Sequence, residues 1–170
     1  VRAIDKADNI PADPDFNTGG TPFRIDRTSP TSSADRVYTL GGIRSLSANA
    51  TAFVSVVPSS FSGTADDTVD GSDVLEVKIR IKRSDNNYLN DTQTGWDTLD
   101  SSIDFPFDPD LGLTSWAKNI NSGRFGDGYR YEVITRAKDK SNPRNVQVLF
   151  TTVTFIVDKS SPSAAASLPA

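Results

Sequence analysis

The chain contains no histidine, no cysteine and no methionine among its 170 residues. Each absence removes chemistry. Without cysteine there is no disulfide, no thiolate nucleophile and no thiolate zinc site. Without histidine the usual general base near neutral pH is missing, and with it the Ser-His-Asp arrangement. A chain that starts at Val1 and holds no methionine reads as a mature or excised piece of something longer, its targeting signal out of view. Avoidance of cysteine with low methionine also suits long extracellular bacterial proteins. Positive charge is scarce: 18 Lys and Arg stand against 22 Asp and Glu, for a net charge of −4. The pI near 4.8 is the opposite of the basic footprint of a nucleic-acid binder. No apolar run approaches the roughly 18 residues of a membrane-spanning helix. Nucleic acid, a membrane span and most enzyme chemistry are therefore set aside, and a non-enzymatic protein is expected.

What is present is period-two alternation. In "DVLEVKIRIKRS" (73–84), Leu75, Val77, Ile79 and Ile81 point one way while Glu76, Lys78, Arg80 and Lys82 point the other. "YRYEVITRA" (129–137) puts Tyr129, Tyr131, Val133, Thr135 and Ala137 on one face, and "VLFTTVTFIVD" (148–158) does the same with Leu149, Thr151, Val153, Phe155 and Val157. "TAFVSVV" (51–57), "SSFSGTA" (59–65) and "TSWAKNI" (114–120) add shorter strands, and clusters of Asp, Asn, Ser and Gly separate them. About seven strands in this pattern predict an all-β, antiparallel β-sandwich. A long acidic insertion, "DSSIDFPFDPDLG" (100–112), interrupts it as a loop or an added edge element.

Two stretches repeat. "VRAIDK" (1–6) matches "TRAKDK" (135–140), with Arg2, Ala3, Asp5 and Lys6 against Arg136, Ala137, Asp139 and Lys140. "FRIDRTSP" (23–30) matches "FIVDKSSP" (155–162) at an offset of 132, pairing Phe23, Asp26, Ser29 and Pro30 with Phe155, Asp158, Ser161 and Pro162. The unit is about 130 residues long. Residues 1–30 then read as the last two strands of a preceding repeat, 31–162 as a complete repeat and 163–170 as linker. A lone hairpin is marginal in water, so the first 30 residues need a partner: a neighbouring repeat of the same chain, or an identical subunit joined by strand addition.

The acidic turns are candidate cation ligands. Asp66, Asp67, Asp70 and Asp73 lie in one, and Asp104, Asp108 and Asp110 in the other. Calcium takes six to eight oxygens from such flexible carboxylates, although the spacing is not that of an EF-hand and Asp is also an ordinary turn former. Nothing orders two carboxylates across a pocket as a glycosidase requires. Trp96, Trp116 and Tyr88 are candidates for a sugar-stacking platform, against the plainer reading of core and edge fillers.

"SGTADDTVDGSDVLEVKIRIKR" (62–83), "NNYLND…GW" (86–96), "GDGYRYEVITRAKDKSN" (126–142) and "TFIVDKSSP" (154–162) together resemble bacterial Ig-like domains, the repeats strung in tandem through large surface-exposed and secreted proteins. The resemblance implies an Ig-like sandwich and a stalk, sheath or spacer role at the cell surface or outside the cell, with adhesive modules in some parents. It implies a structural role for Tyr131 as a tyrosine corner. It also implies calcium at the junctions between units, which adds Asp26, Asp139 and Asp158 to Asp66 and Asp67 as metal ligands. The chain departs from the family at "KSNPRN" (140–145), where a small turn is usual, and in its longer acidic centre. The function expected is a stiff spacer. The alternative is an adhesion module that binds a glycan or protein through loops and exposed aromatics.

Overall fold

A computed structural model describes residues 25–67, 72–98 and 105–163. The expectations for residues 1–24 and for the 163–170 linker beyond Ser163 therefore lie outside the described residues. The alternation read from the sequence becomes ten strands: β1 (Thr31–Thr39), β2 (Gly42–Ser45), β3 (Thr51–Val54), β4 (Pro58–Asp66), β5 (Val74–Arg83), β6 (Tyr88–Leu89), β7 (Trp96–Asp97), β8 (Ser115–Asn119), β9 (Arg130–Asp139) and β10 (Thr151–Val157). One sheet has the order β2-β1-β4-β8 and the other β3-β10-β9-β5-β6-β7. The fold is an all-β sandwich, antiparallel except where β3 runs parallel to β10. The count exceeds seven because β1 lies in a stretch the sequence reading does not mark as strand, and β2, β6 and β7 are only two to four residues long, too short to show a period.

The inward faces meet in one core. Val77, Ile79 and Ile81 of β5 are fully buried, as are Tyr131 and Val133 of β9 and Phe155 and Val157 of β10. Each such aliphatic side chain contributes roughly 1.5–3 kcal/mol of transfer free energy. From the other sheet Phe61 reaches Phe155, ring centroids 5.4 Å apart, and Trp116 is buried opposite Gly63, its partner on β4. A Cβ at Gly63 would lie 2.3 Å from the Trp116 ring and 2.0 Å from the Ser33 carbonyl oxygen, so the indole needs a residue with no side chain beneath it. Tyr131 behaves as a tyrosine corner: its hydroxyl accepts from Gly126 N at 2.8 Å and donates to Gly126 O at 3.3 Å.

Two inward assignments are corrected. A register shift between Val74 and Glu76 turns Val74 into the core and leaves Leu75 half-buried. Leu149 is exposed because Val148–Phe150 leave the strand line between the bridge at Val146 and the start of β10. Gln147 takes the inward place there, its Oε1 accepting from Ala137 N at 3.0 Å and from Ser32 Oγ at 2.6 Å. The acidic insertion is an added edge: Phe107 exchanges backbone hydrogen bonds with Ile79, and Leu111 with Ala117. Among the described residues no helix is long and apolar enough to cross a membrane.

The strands give the sandwich two ends. Thr31, Asp66, Val74 and Asp139 mark the entry end, where β1 begins. Thr39, Pro58, Arg130 and Val157 mark the exit end, where β10 finishes.

Candidate metal centre

Strand parity carries two acids inward at the entry end. Phe61, Gly63 and Ala65 face the core from β4, so Asp67, one residue beyond the strand, faces the same way and is buried. Tyr131, Val133, Thr135 and Ala137 face in from β9, and Asp139 follows them, fully buried. The third acid, Asp26, arrives from the extended stretch ahead of β1. Carboxylate oxygens of Asp26, Asp67 and Asp139 all lie within 4.8 Å of one another.

The surrounding loops hold these groups in place. Asp139 Oδ1 accepts from Ser141 N (3.1 Å), Ser141 Oγ (2.7 Å) and Asn145 N (2.8 Å). The Asn145 side-chain amide donates both to Asp139 Oδ2 at 2.8 Å and to the Asp26 carbonyl at 3.3 Å, fastening the incoming segment to the β9–β10 loop. That loop contains a cis Asn142–Pro143 bond. Asp26 Oδ1 accepts from Thr28 N (2.9 Å) and Thr28 Oγ1 (2.8 Å), whereas Asp26 Oδ2 is buried with no hydrogen-bond partner. Ser72 N donates to Asp67 Oδ2 at 3.0 Å, and the Ser72 hydroxyl is likewise buried and unpartnered.

The electrostatics follow. Burial, first, and the negative charges of Asp26, Asp139 and Asp66 push the Asp67 carboxyl above its ordinary range, against the pull of the Ser72 N–H. The Thr28 donors, with smaller help from nearby Ser72, hold Asp26 below its ordinary value. Among the described residues no ion pair reaches any of the three. A hard divalent cation fits this arrangement. Oxygens 2.3–2.6 Å from calcium lie at most about 5.2 Å apart across the ion, and the cluster falls inside that span. All the donors are oxygens, the set suited to calcium or magnesium rather than zinc. Asp26 Oδ2, Asp67, Asp139 and the Ser72 hydroxyl are the groups that would hold it. Beside them opens a cavity of about 550 Å³, with Asp66, Asp73, Leu113 and Lys140 in its walls.

The other predicted ligands fall elsewhere. Asp66 is exposed, facing away from Asp67 as strand parity demands, and lines the cavity rather than the triad. Asp158 stands at the exit end, its Oδ1 accepting from Ser160 N at 3.0 Å and from the Ser160 hydroxyl. Asp108 pairs with Lys78 at 2.7 Å and Asp110 with Lys118 at 2.8 Å, so these acids fasten the insertion to the sheets. Asp73 sits 3.5 Å from Lys140. Asp5, Asp70 and Asp104 lie outside the described residues.

Trp96, Trp116 and Tyr88 form no shared platform. Trp116 is buried, its Nε1 donating to Thr64 O at 3.3 Å. Trp96 packs on Tyr131 and Phe125, donates from Nε1 to Arg124 O at 2.8 Å, and is covered by the Arg83 guanidinium. Tyr88 lies beneath Arg80 and Lys82. The sequence reading missed Asn145, Ser141 and Ser72. The signal for the first two was there: both lie in "KSNPRN", the turn that departs from the family pattern. No protein-family model, no curated protein and no solved structure matches the chain.

Proposed function

We propose that this chain is a non-enzymatic Ig-like repeat, a stiff spacer in a tandem-repeat protein of the bacterial surface or extracellular space. In this reading calcium fastens each unit to the one before. One observation carries it. Asp26 belongs to the segment that, by the sequence repeat, closes the preceding unit, and its carboxylate meets those of Asp67 and Asp139 in the next. A cation there binds residues from both sides of the seam. The strand order supports the Ig-like assignment: β1-β4-β8 opposite β10-β9-β5 follows the A-B-E and G-F-C order of immunoglobulin sandwiches. Pro30 and Pro162, which restrict the chain around each seam, support stiffness. The adhesion alternative loses its shared aromatic platform, since Trp116 is buried, Trp96 packs on Tyr131 and Phe125, and Tyr88 lies beneath Arg80 and Lys82.

The test is hydrogen exchange of the intact chain in calcium and in chelator. Calcium should slow exchange at Asp26–Ser29 and at Ser141–Asn145 and leave the exit end unchanged. Equal exchange in both buffers rejects the calcium seam.

A further inference from the structure

We infer that the two ends of the sandwich are the two halves of one interface, made head-to-tail with an identical unit. The inference rests on the tandem-repeat reading and gives the seam a second component that needs no metal. Its basis is where the apolar surface lies. Among the described residues, apart from Leu111 and Phe150 along the flank, the exposed large hydrophobic side chains sit toward one end or the other by strand register. At the exit end, Leu40 forms the tip of the β1–β2 hairpin and is 95% exposed, where turn tips are ordinarily polar. Phe53, level with Ile156, and Tyr129, just ahead of β9 and beneath the Arg83 guanidinium, are exposed toward the same end. In the entry half Val148 and Leu149 stand out from the β9–β10 loop between the Val146–Lys138 bridge and the start of β10, Leu149 87% exposed, and Leu113 edges the cavity next to the acidic triad.

The chain itself fixes what covers them. Asp158 N donates to Val54 O at 2.9 Å, which fastens this residue to the exit end of its own unit. Its counterpart 132 residues earlier, Asp26, accepts from Asn145 Nδ2 at 3.3 Å, which fastens it to the entry end of the unit that follows. The two aspartates share one local geometry, Oδ1 capped by the N–H and hydroxyl of the residue two positions on. If one position makes both sets of contacts, a single residue spans from one unit to the next. The backbone width of one residue plus two hydrogen bonds brings Val54 O and the neighbour's Asn145 amide to within about 10 Å. Leucine and aromatic side chains protruding from both faces close a gap of that size. The occupant is therefore the same kind of unit. Leu40, Phe53 and Tyr129 of one face Leu113, Val148 and Leu149 of the next, and water leaves apolar surface on both sides.

The experiment uses the full chain extended by one unit, with residues 31–162 repeated directly after Pro162. Each copy then holds every strand from β1 to β10 and enters on an exit segment like its own. Spin labels on the two copies report the inter-unit distance distribution in excess chelator, so that no cation contributes. A narrow distribution is expected. Leu40→Ser in the first copy and Leu149→Ser in the second should each widen it at least about twofold, and the pair should widen it little further. Both residues are exposed, so thermal melts should show both copies folded in every variant. A broad distribution in the unsubstituted chain, or a narrow one that ignores both substitutions, overturns the interface and leaves the calcium seam standing. A second copy that fails to fold overturns the repeat reading, and the interface with it.

Discussion

Replacing Asp67 by Asn should stabilise the protein in chelator and destabilise it in calcium. The substitution removes one charge, keeps the shape, and retains an oxygen to accept from Ser72 N. In chelator, two carboxylates on buried residues, Asp67 and Asp139, lie within 4.8 Å of each other. Like charges at that separation repel by about 3 kcal/mol at an effective dielectric of 20. Relaxation and solvent leave roughly 1–2 kcal/mol to be regained, a rise in Tm of about 2–8 °C for a chain of this size. The sign of the pH dependence agrees. Asp67 has its pKa raised in the fold, so its charge costs stability above that raised value. The cost fades as pH falls through the raised value and is gone below the unfolded value near 3.8. In calcium the order reverses. An extracellular-type site binds at about 10⁻⁴ M, so about 10 mM calcium stabilises the wild type by about 2.7 kcal/mol, or roughly 5–11 °C. The variant, short of one ligand charge, should gain little. Differential scanning calorimetry of both proteins in the two buffers at pH 7.5 measures this directly. If the variant ranks the same way against wild type in both buffers, the triad is not a cation site.

Gly63→Ala should cost more than about 3 kcal/mol, the upper range of overpacking, because the new methyl meets a backbone carbonyl and an indole at 2.0 and 2.3 Å; chemical denaturation and loss of the Trp116 near-ultraviolet signal report it. Tyr131→Phe removes both bonds to Gly126 and should lower stability by about 1–3 kcal/mol, shifting the urea midpoint with the slope unchanged. The Arg83 guanidinium holds Asp85 down at about 2. That pair stabilises the fold above the unfolded value near 3.8, and the gain disappears as pH falls through about 2. The Asp85 side chain is 36% exposed, so Asp85→Asn should cost under about 1 kcal/mol at pH 7 and nothing at pH 1.5, provided both proteins remain folded there.

β5 and β9 were legible because their alternation is regular: Val77, Ile79 and Ile81, and Tyr131 through Ala137, face the core as their spacing predicts, whereas the register shift between Ala34 and Arg36 breaks the alternation of β1, which the sequence reading passed over. Irregularities broke the rule at Leu75 and Leu149, where a register shift and an outward loop change the parity in ways that composition does not mark. The triad was half legible. Continuing the parity of β4 and β9 by one step selects Asp67 over Asp66 and turns Asp139 inward, so both could have been chosen from strand faces alone. Asp26 has no such local cue, and only the sequence repeat together with the calcium junctions implied by the resemblance pointed to it. Trp116 was ambiguous until its strand partner proved to be Gly63, because a residue opposite in a sheet is not adjacent in sequence.

The ends of β1 and β10 lie at opposite poles, with Thr31 at one and Val157 at the other. Tension applied through a string of such units would therefore run lengthwise along the strands, not across them. Where β10 pairs in parallel with β3, from Thr154↔Thr51 to Val157↔Val54, that pull loads the inter-strand hydrogen bonds in shear. They resist together instead of opening one after another, and the six antiparallel rows that join β10 to β9 carry the same shear.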